Sequence, residues 1–266
     1  MIDDNKIFDN HIHFNDDLKY KDANIEQLIN EAQKEHVTAW LCSSFDLTSS
    51  KKAIEFSKQF KNVFASIAIH PNEVQNFNDS VFDELEQLVT NKKVVCIGET
   101  GLDYFYSKED IKKQKEFFKK HINLAIKYNK VLQMHIRDQK DQFQAYDDVI
   151  EIIKDLNQVT KVVHCFSAND VYAQKFLDLD CYINIGGAVT FKNAKDLQKA
   201  VKIIPLEKML LETDAPYLAP DPYRGQVNHP KYIYLTALKI AELKNIDVKE
   251  VIRITTQNSK KIFNLN

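Results

Sequence analysis

A His-x-His pair near the start of the chain, His11 and His13, is the first feature with recognisable chemistry. On a β-strand, residues i and i+2 point to the same face, so the two imidazoles could share one cation. Such a pair often occurs without a metal and by itself is weak evidence for a metal site. It gains weight because other histidines and carboxylates also stand at the ends of short apolar runs. These further residues are His70, Glu99, Asp103, His135, His164, Glu212 and Asp214.

Each of these residues also has an ordinary structural interpretation. His135 or His164 could be a core histidine bonded to the backbone, and Glu99 or Asp214 could balance a nearby charge. Together, four imidazoles and two carboxylates buried in one place would be unfavourable unless something binds them. Six ligands exceed the three or four of one open catalytic site, so two divalent ions about 3.5–4 Å apart that share a carboxylate explain them better. The predicted ligands are His11, His13, Glu99, His135, His164 and Asp214, and the ions could be Mg²⁺, Mn²⁺, Zn²⁺ or Fe²⁺.

The hydrophobic pattern indicates how residues so far apart in the chain could be positioned together. Eight short runs rich in β-branched or aromatic residues alternate with longer stretches of helical period. The candidate strands span residues 6–14, 37–44, 63–70, 94–99, 131–137, 161–167, 182–189 and 209–214. The candidate helices span residues 23–35, 48–59, 79–91, 108–129, 141–157, 169–178, 194–203, 230–244 and 247–263.

Eight strands, each followed by a helix, predict a parallel sheet with helical crossovers. The count of eight favours an α/β fold closed into a TIM-type (β/α)₈ barrel over an open doubly wound sheet, and no GxGxxG motif follows any strand. Residues 1–266 are predicted to form a single domain with an extra C-terminal helix. Active sites of such barrels lie at the C-terminal ends of the strands, where the candidate residues stand. The predicted helix starts include Asp22, Asp79, Asn169 and Pro230.

Two of the three arginines belong to the same predicted face of the barrel. Arg137 stands two residues after His135 on one strand, and Arg224 follows the last strand in the segment PDPYRGQ. A planar guanidinium group suits phosphate oxygens, so both residues suggest a phosphoester substrate. A salt bridge to a neighbouring carboxylate such as Asp103 or Asp138 is the alternative for each.

The overall composition limits the possible partners. A net charge of −2 gives no general positive field for a polyanion, so any contact with nucleic acid must be local. The first residues lack both the basic and the apolar region of a signal peptide, and no apolar run approaches the roughly 20 residues of a membrane span. The four cysteines form no CxxC pair, which favours buried free thiols over disulfides. These features predict a cytoplasmic protein without membrane contact.

Several segments resemble the TatD-type metal-dependent deoxyribonucleases, which are amidohydrolase-like barrels. CIGETGLDYF (96–105) and LETDAPYLAPDPYRG (211–225) are highly specific, and the resemblance extends from residue 9 to residue 263. The other segments are DNHIHF (9–14), AIHPNE (68–73), QMHIRD (133–138), VVHCFSA (162–168) and ITTQNSKKIF (254–263). Ala68, Val131 and Ala168 depart from residues common in the family without removing a ligand.

The resemblance implies a ligand set and a substrate. One metal would be bound by His11, His13, Glu99 and Asp214, and a second by Glu99, His135 and His164, with Glu99 shared. The implied activity is on DNA ends, with 3′→5′ trimming of single strands.

We expect a phosphodiester to be cleaved by a water that two metals activate, with Asp214 as general base and Glu99 as the shared ligand. The expected substrate contacts are Arg137, Arg224, His70 and Asp103, and the aromatic candidates for base stacking are Tyr104, Phe105, Phe166 and Tyr217. One alternative keeps the dinuclear site but cleaves an amide, lactone or aminoacyl ester, and another is a binding module without catalysis. A monomer is favoured.

Overall fold

The computed structural model describes residues 2–106 and 109–265, and its core is a sheet of eight parallel strands in chain order. They are β1 (Ile7–Ile12), β2 (Val37–Cys42), β3 (Val63–Ile67), β4 (Val94–Asp103), β5 (Val131–Arg137), β6 (Lys161–Val163), β7 (Tyr182–Ile185) and β8 (Met209–Leu211). The ring closes where β1 meets the segment after β8. There the N–H of Asp214 donates to the His11 carbonyl (2.9 Å), and the N–H of His13 donates to the Ala215 carbonyl (2.8 Å). The predicted TIM-type (β/α)₈ barrel is confirmed.

In the described part of the chain, helices connect consecutive strands and cover the sheet, and two further helices follow β8. They are α1 (Ile25–Lys34), α2 (Leu47–Gln59), α3 (Val81–Leu88), α4 (Ile111–Tyr128), α5 (Gln144–Ile153), α6 (Asp170–Asp178), α7 (Lys195–Ile203), α8 (Ile233–Lys244) and α9 (Val248–Ile262). The sequence of α4 shows why they form. Phe118, Ile122 and Ala125 recur at helical spacing and are buried, whereas lysines occupy much of the opposite face.

The caps explain where two of the helices begin. Asn169 starts α6 as predicted, because its side chain accepts the N–H of Tyr172 (3.2 Å). α1 begins later than Asp22 would indicate, since Asn24 provides the cap by accepting the N–H of Gln27 (3.1 Å). The cap, rather than the nearest acidic residue, therefore fixes the first turn.

Other predicted boundaries differ by a few residues. α3 begins after Asp79, whose carboxylate pairs with Lys120 of α4 instead of capping the helix. Pro230 begins a short 3₁₀ turn, and α8 follows that turn. Residue 108, where the predicted helical stretch 108–129 starts, lies outside the described residues. Residues 1 and 266, the ends of the predicted domain, also lie outside them.

The C-terminal ends of three strands differ from the prediction in a way that shapes the site. β6 and β8 end early, and Cys165 and Asp214, shortly after them, have positive φ angles of 46° and 56°. A left-handed backbone cannot continue a strand, so His164 and Asp214 lie just beyond the sheet. β4, by contrast, continues past residue 99 to Asp103, so Glu99 lies within a strand.

The C-terminal helix covers the opposite end of the barrel. Phe263, which follows α9, stacks on Phe8 of β1 with ring centroids 5.8 Å apart. Asn258 of α9 donates to the carbonyls of Leu206 (2.7 Å) and Met209 (2.8 Å), at the start of β8. These contacts join α9 to the first and last strands, so the predicted extra helix helps to hold the barrel closed.

The cysteines are all free, as predicted. Cys42, Cys96 and Cys181 are buried, and Cys165 is half-buried. Within the ranges that the structure describes, no helix is both long enough and apolar enough to cross a bilayer.

We predict that Phe263→Ala lowers the free energy of unfolding by about 3 kcal/mol, since it removes a buried ring from the contact between α9 and β1. Chemical denaturation followed by circular dichroism would measure the change. Val171→Ala is the control: Val171 is 59% exposed, so its effect should stay within about 0.5 kcal/mol. Equal effects of the two substitutions would show that the contact between α9 and β1 does not stabilise the fold.

Candidate metal centre

Glu99 is the residue around which the site is arranged. Its Oε2 atom lies 3.4 Å from Nε2 of His11 and 3.7 Å from Nε2 of His13. Its Oε1 atom lies 2.6 Å from Nδ1 of His135 and 3.4 Å from Nε2 of His164. Each oxygen thus faces a different pair of histidines, as a shared carboxylate between two cations would.

Asp214 completes one side of this arrangement. Its Oδ1 atom lies 3.2 Å from Nε2 of His13, 3.7 Å from Nε2 of His11 and 4.0 Å from Nε2 of His164. The left-handed turn at Asp214 and its N–H bond to the His11 carbonyl bring the carboxylate back over β1. All six predicted ligands therefore converge at the C-terminal ends of the strands.

The close approach of imidazole nitrogens shows what the cluster can bind. Nε2 of His11 lies 3.1 Å from Nε2 of His13, and the rings of His11 and His164 stack with centroids 3.5 Å apart. Two ring nitrogens this close repel each other when both carry a lone pair or both carry a hydrogen. A cation between them would instead be coordinated by both lone pairs. Histidine and carboxylate donors without cysteine suit divalent metals. The donor set thus fits divalent metal binding.

Three of the histidines are oriented through their other ring nitrogen. Nδ1 of His11 contacts Oε1 of Gln133 (2.7 Å), Nδ1 of His13 contacts the Ser43 carbonyl (3.1 Å), and Nδ1 of His164 contacts Oε2 of Glu212 (2.9 Å). Contacts of this kind fix both the ring orientation and the tautomer of metal-binding histidines. All three therefore direct Nε2 toward Glu99 and Asp214.

Glu212 is itself held in place inside the barrel. It is fully buried, and besides His164 it accepts hydrogen bonds from the N–H of Cys165 (2.8 Å) and from Nδ2 of Asn184. Burial raises the pKa of Glu212 well above its usual value. The sequence marks Glu212 as a carboxylate at the end of β8, and the structure gives it a role in positioning His164.

His135 is oriented the other way. Its Nδ1 faces Glu99, and its Nε2 lies 3.0 Å from Oδ2 of Asp103. Asp103 is fully buried and also accepts hydrogen bonds from Nδ2 of Asn72 (3.1 Å) and from the N–H of Phe105 (2.9 Å). The structure therefore places Asp103, predicted as a substrate contact, beneath His135.

His70 lies against the same cluster. Its Nε2 is 3.4 Å from Oε1 of Glu99, and its Nδ1 accepts the N–H of Asn72 (3.1 Å). The ligand atoms of His70, Glu99 and His135 all lie within 4.8 Å of one another. His70 can thus contact whatever binds at Glu99.

The electrostatics of the cluster favour bound positive charge. Burial opposes ionisation of Glu99, but the surrounding histidines, with His164 and His70 foremost, outweigh it and hold the pKa of Glu99 well below its usual value. Burial likewise disfavours a charged His13, but Asp214 and Glu99 raise its pKa to about 9. Glu99 therefore stays negative, and the negative charge of the cluster favours a proton on His13. A metal cation would satisfy the same charges.

The two arginines at this end of the barrel stack on aromatic rings. The guanidinium carbon of Arg137 lies 4.3 Å from the ring centroid of Phe105 and 4.8 Å from that of Tyr106. That of Arg224 lies 4.1 Å from the centroid of Phe191. Among the described residues neither arginine forms the alternative salt bridge to Asp103 or Asp138. Both arginines are exposed, and Nη1 of Arg224 donates to Oδ1 of Asn193 (3.2 Å).

The aromatic candidates divide according to burial. Tyr104 and Phe166 are 1% and 2% exposed and belong to the core. Phe105 and Tyr217 are 38% and 40% exposed and can contact a ligand, although the hydroxyl of Tyr217 donates to Asp16. Only these two rings of the four are available for stacking.

Some of the supporting residues were not predicted from the sequence. Gln133 precedes His135 by two residues on β5, so strand alternation offered a signal for it. Ser43 contributes a main-chain carbonyl, for which the residue type gives no signal.

Comparison with known proteins identifies the family. The family described as TatD related DNase matches residues 8–264. The chain belongs to the TatD family of metal-dependent hydrolases. The uncharacterized metal-dependent hydrolase YabD of Bacillus subtilis is 36% identical over 262 residues, covering 98% of this chain and 100% of YabD. The uncharacterized metal-dependent hydrolase MG009 of Mycoplasma genitalium is 38% identical over 266 residues, covering 92% of this chain and 99% of that protein.

A solved TatD homologue has the same fold over its whole length. The crystal structure of YJJV from Escherichia coli superposes with a TM-score of 0.90 at 25% identity, and the alignment covers 100% of both chains. The resemblance noted from the sequence is thus confirmed along the entire chain.

We predict that Glu99→Gln removes most of the bound divalent metal, because Glu99 is the one carboxylate that faces both pairs of histidines. The loss of affinity should exceed the roughly 10- to 100-fold typical of mutating a residue that only supports a ligand. Metal content measured by mass spectrometry after dialysis would test this, with Glu151→Gln, at an exposed carboxylate on α5, as the control. Wild-type metal content in Glu99→Gln would show that Glu99 is not a ligand.

Proposed function

We propose that this chain hydrolyses phosphodiester bonds of DNA and trims single strands from the 3′ end. The observation that carries the proposal is the position of Glu99, whose two oxygens face separate histidine pairs. Two exposed arginines follow strands at the same end of the barrel. The match to a family described as TatD related DNase supports DNA as the substrate. A dinuclear centre next to guanidinium groups suits an attack on a phosphoryl group whose charge must be stabilised.

We assign the ligands to two groups. His11, His13, Glu99 and Asp214 would hold one divalent ion, and Glu99, His135 and His164 would hold the other. When bound, the ions would lower the pKa of a water and stabilise negative charge on the phosphoryl group. Which metal fills the centre follows from supply and affinity, with Mg²⁺, Mn²⁺ and Zn²⁺ as the candidates.

Three side chains of the cluster have separate roles in the proposed reaction. Asp214 accepts the proton of the attacking water, because its carboxylate belongs to the cluster and its Oδ1 lies within 4.0 Å of three histidines. His70, next to Glu99, donates to a phosphate oxygen. Asp103 acts through His135 by holding its ring, rather than by touching the substrate.

The rim of the barrel supplies binding energy for a single strand. Arg137 and Arg224 can bind backbone phosphates with the edge of the guanidinium group while an aromatic ring supports its face. Phe105 and Tyr217 are exposed enough for a base to stack on them. Because the net charge of the chain is −2, these local contacts have to replace a general electrostatic attraction.

Oligonucleotide cleavage under controlled metal supply tests the reaction. A 5′-labelled single strand should be shortened stepwise from its 3′ end, chelator should stop the reaction, and added Mn²⁺, Zn²⁺ or Mg²⁺ should restore it. A parallel assay on amides, lactones and aminoacyl esters tests the alternative reactions that this kind of site can catalyse. Metal-dependent turnover of those compounds, with intact oligonucleotide, would overturn the proposal.

We predict that Asp214→Asn lowers kcat for oligonucleotide cleavage by about 100-fold or more, because the amide cannot accept the proton of the attacking water. The fold should be retained by circular dichroism, and metal content should be measured in the same samples to separate lost binding from lost proton transfer. Asp178→Asn on α6 provides a carboxylate control away from the rim. A wild-type rate in Asp214→Asn would exclude this residue as the base.

We also predict that Phe105→Ala raises KM for single-stranded oligonucleotides about fivefold or more and leaves kcat little changed. The reason is that stacking of one base on an aromatic ring contributes about 1–3 kcal/mol. Leu238→Ala, at a 41% exposed side chain on α8, is the matched control. An unchanged KM would show that no base stacks on Phe105.

A further inference from the structure

Gln133 occupies an unusual place for an amide side chain, the fully buried interior of the barrel beside His11. Its Nε2 donates to the carbonyl of Asn10 (2.9 Å), on the strand that carries His11. Its Oε1 lies 2.7 Å from Nδ1 of His11 and accepts the hydroxyl of Ser43 (3.3 Å). The amide thus joins β5, β1 and the end of β2.

The orientation of this amide is fixed by its partners. A rotated amide would place Oε1 against the Asn10 carbonyl oxygen, so that two acceptors faced each other in a buried site. It would also direct Nε2 at the ring of His11. The contact with Asn10 therefore selects the orientation in which the Gln133 oxygen faces His11.

That orientation determines where His11 carries its hydrogen. An amide oxygen can only accept, so Nδ1 of His11 must be the donor, and in the neutral ring Nε2 is then an unprotonated lone pair. Nε2 is the atom that lies 3.4 Å from Oε2 of Glu99 and 3.1 Å from Nε2 of His13. It therefore faces the place where a cation would bind.

We propose that Gln133 is a positioning residue that holds His11 in its Nδ1–H tautomer and so presents Nε2 to a divalent metal. The inference rests on the proposed metal centre for its functional consequence, although the tautomer itself can be observed without metal. The other anchored rings use different acceptors: a main-chain carbonyl for His13 and carboxylates for His164 and His135. Gln133 differs from these acceptors because it orients its ring through the neutral amide of a side chain that can be substituted.

The Gln133 amide can hold the Nδ1–H tautomer of His11 although it is not a carboxylate. Because Nε2 of Gln133 is engaged by Asn10, the amide loses little further freedom when Oε1 accepts the His11 hydrogen. The neutral acceptor leaves Glu99 and Asp214 as the nearest negative charges to Nε2 of His11. A cation bound there is then attracted by these two carboxylates, and the acceptor on the other side of the His11 ring carries no charge.

The test uses Gln133→Met, which keeps the length and most of the volume of the side chain but has no acceptor for Nδ1–H. Its first readout is the ¹⁵N spectrum of histidine-labelled, metal-free full-length protein. Wild-type His11 should show the Nδ1–H tautomer, and Gln133→Met should show a mixture of both tautomers. The second readout is the dissociation constant for Zn²⁺ and for Mn²⁺ by calorimetry, which should rise about 10- to 100-fold in Gln133→Met.

Two further variants complete the design. Asn258→Leu removes another buried amide, which donates to Leu206 and Met209 at the far end of the barrel, so it should change stability and leave both readouts at wild-type values. Gln133→Glu restores an acceptor for Nδ1–H but loses the donor to the Asn10 carbonyl, so it should restore the tautomer with a lower stability than the wild type.

The outcomes separate this inference from the proposed function. A wild-type His11 found in the Nε2–H tautomer, or a Gln133→Met protein with wild-type tautomer and metal affinity, would overturn the role of Gln133. The first of these two outcomes is measured on the wild-type protein and does not depend on the folding of a variant. A wild-type protein that binds no divalent metal would instead overturn the proposed centre, and the ¹⁵N spectra would still decide whether Gln133 fixes the tautomer.

Discussion

The carboxylate of Glu99 lies within 3.7 Å of ring nitrogens from five histidines that come from four different parts of the chain. A charge buried among so many polar groups is unfavourable unless each of them has a partner. Most of the polar structure inside the barrel can be understood as meeting this condition. Amides, carbonyls and further carboxylates each satisfy the far side of one imidazole, so that the near sides can face Glu99 and Asp214.

The backbone at the strand ends makes the arrangement possible. β4 continues through Glu99, which places this carboxylate at the centre, whereas β6 and β8 end early and turn their next residues inward. Asp9 supports the same corner, because its carboxylate accepts the N–H (2.9 Å) and the hydroxyl (2.6 Å) of Thr213, next to Asp214. The barrel closure between β1 and the segment after β8 and the geometry of the metal site therefore depend on the same few hydrogen bonds.

The rim differs from the interior in both chemistry and exposure. Below the rim, the six converging side chains are largely buried, and hydrogen bonds hold the rings of His11, His13 and His164. Above it, Arg137 and Arg224 lie exposed on aromatic rings and have no ion pair with Asp103 or Asp138 within the described part of the chain. A planar cation supported on a ring is well suited to a substrate that offers both phosphates and bases.

Local periodicity and the residue types at strand ends were enough to predict the barrel, the family and the convergence of six histidine and carboxylate side chains. The structure decided the rest. It paired His11 with Gln133, 122 residues away, and placed Asp103 behind His135. It also buried Tyr104 and Phe166 while it left Phe105 exposed. Such contacts depend on the register between neighbouring strands and on the paths of the loops, which hydrophobic periodicity does not specify. For that reason the side chains that converge could be predicted from the chain, but the groups that orient them could not.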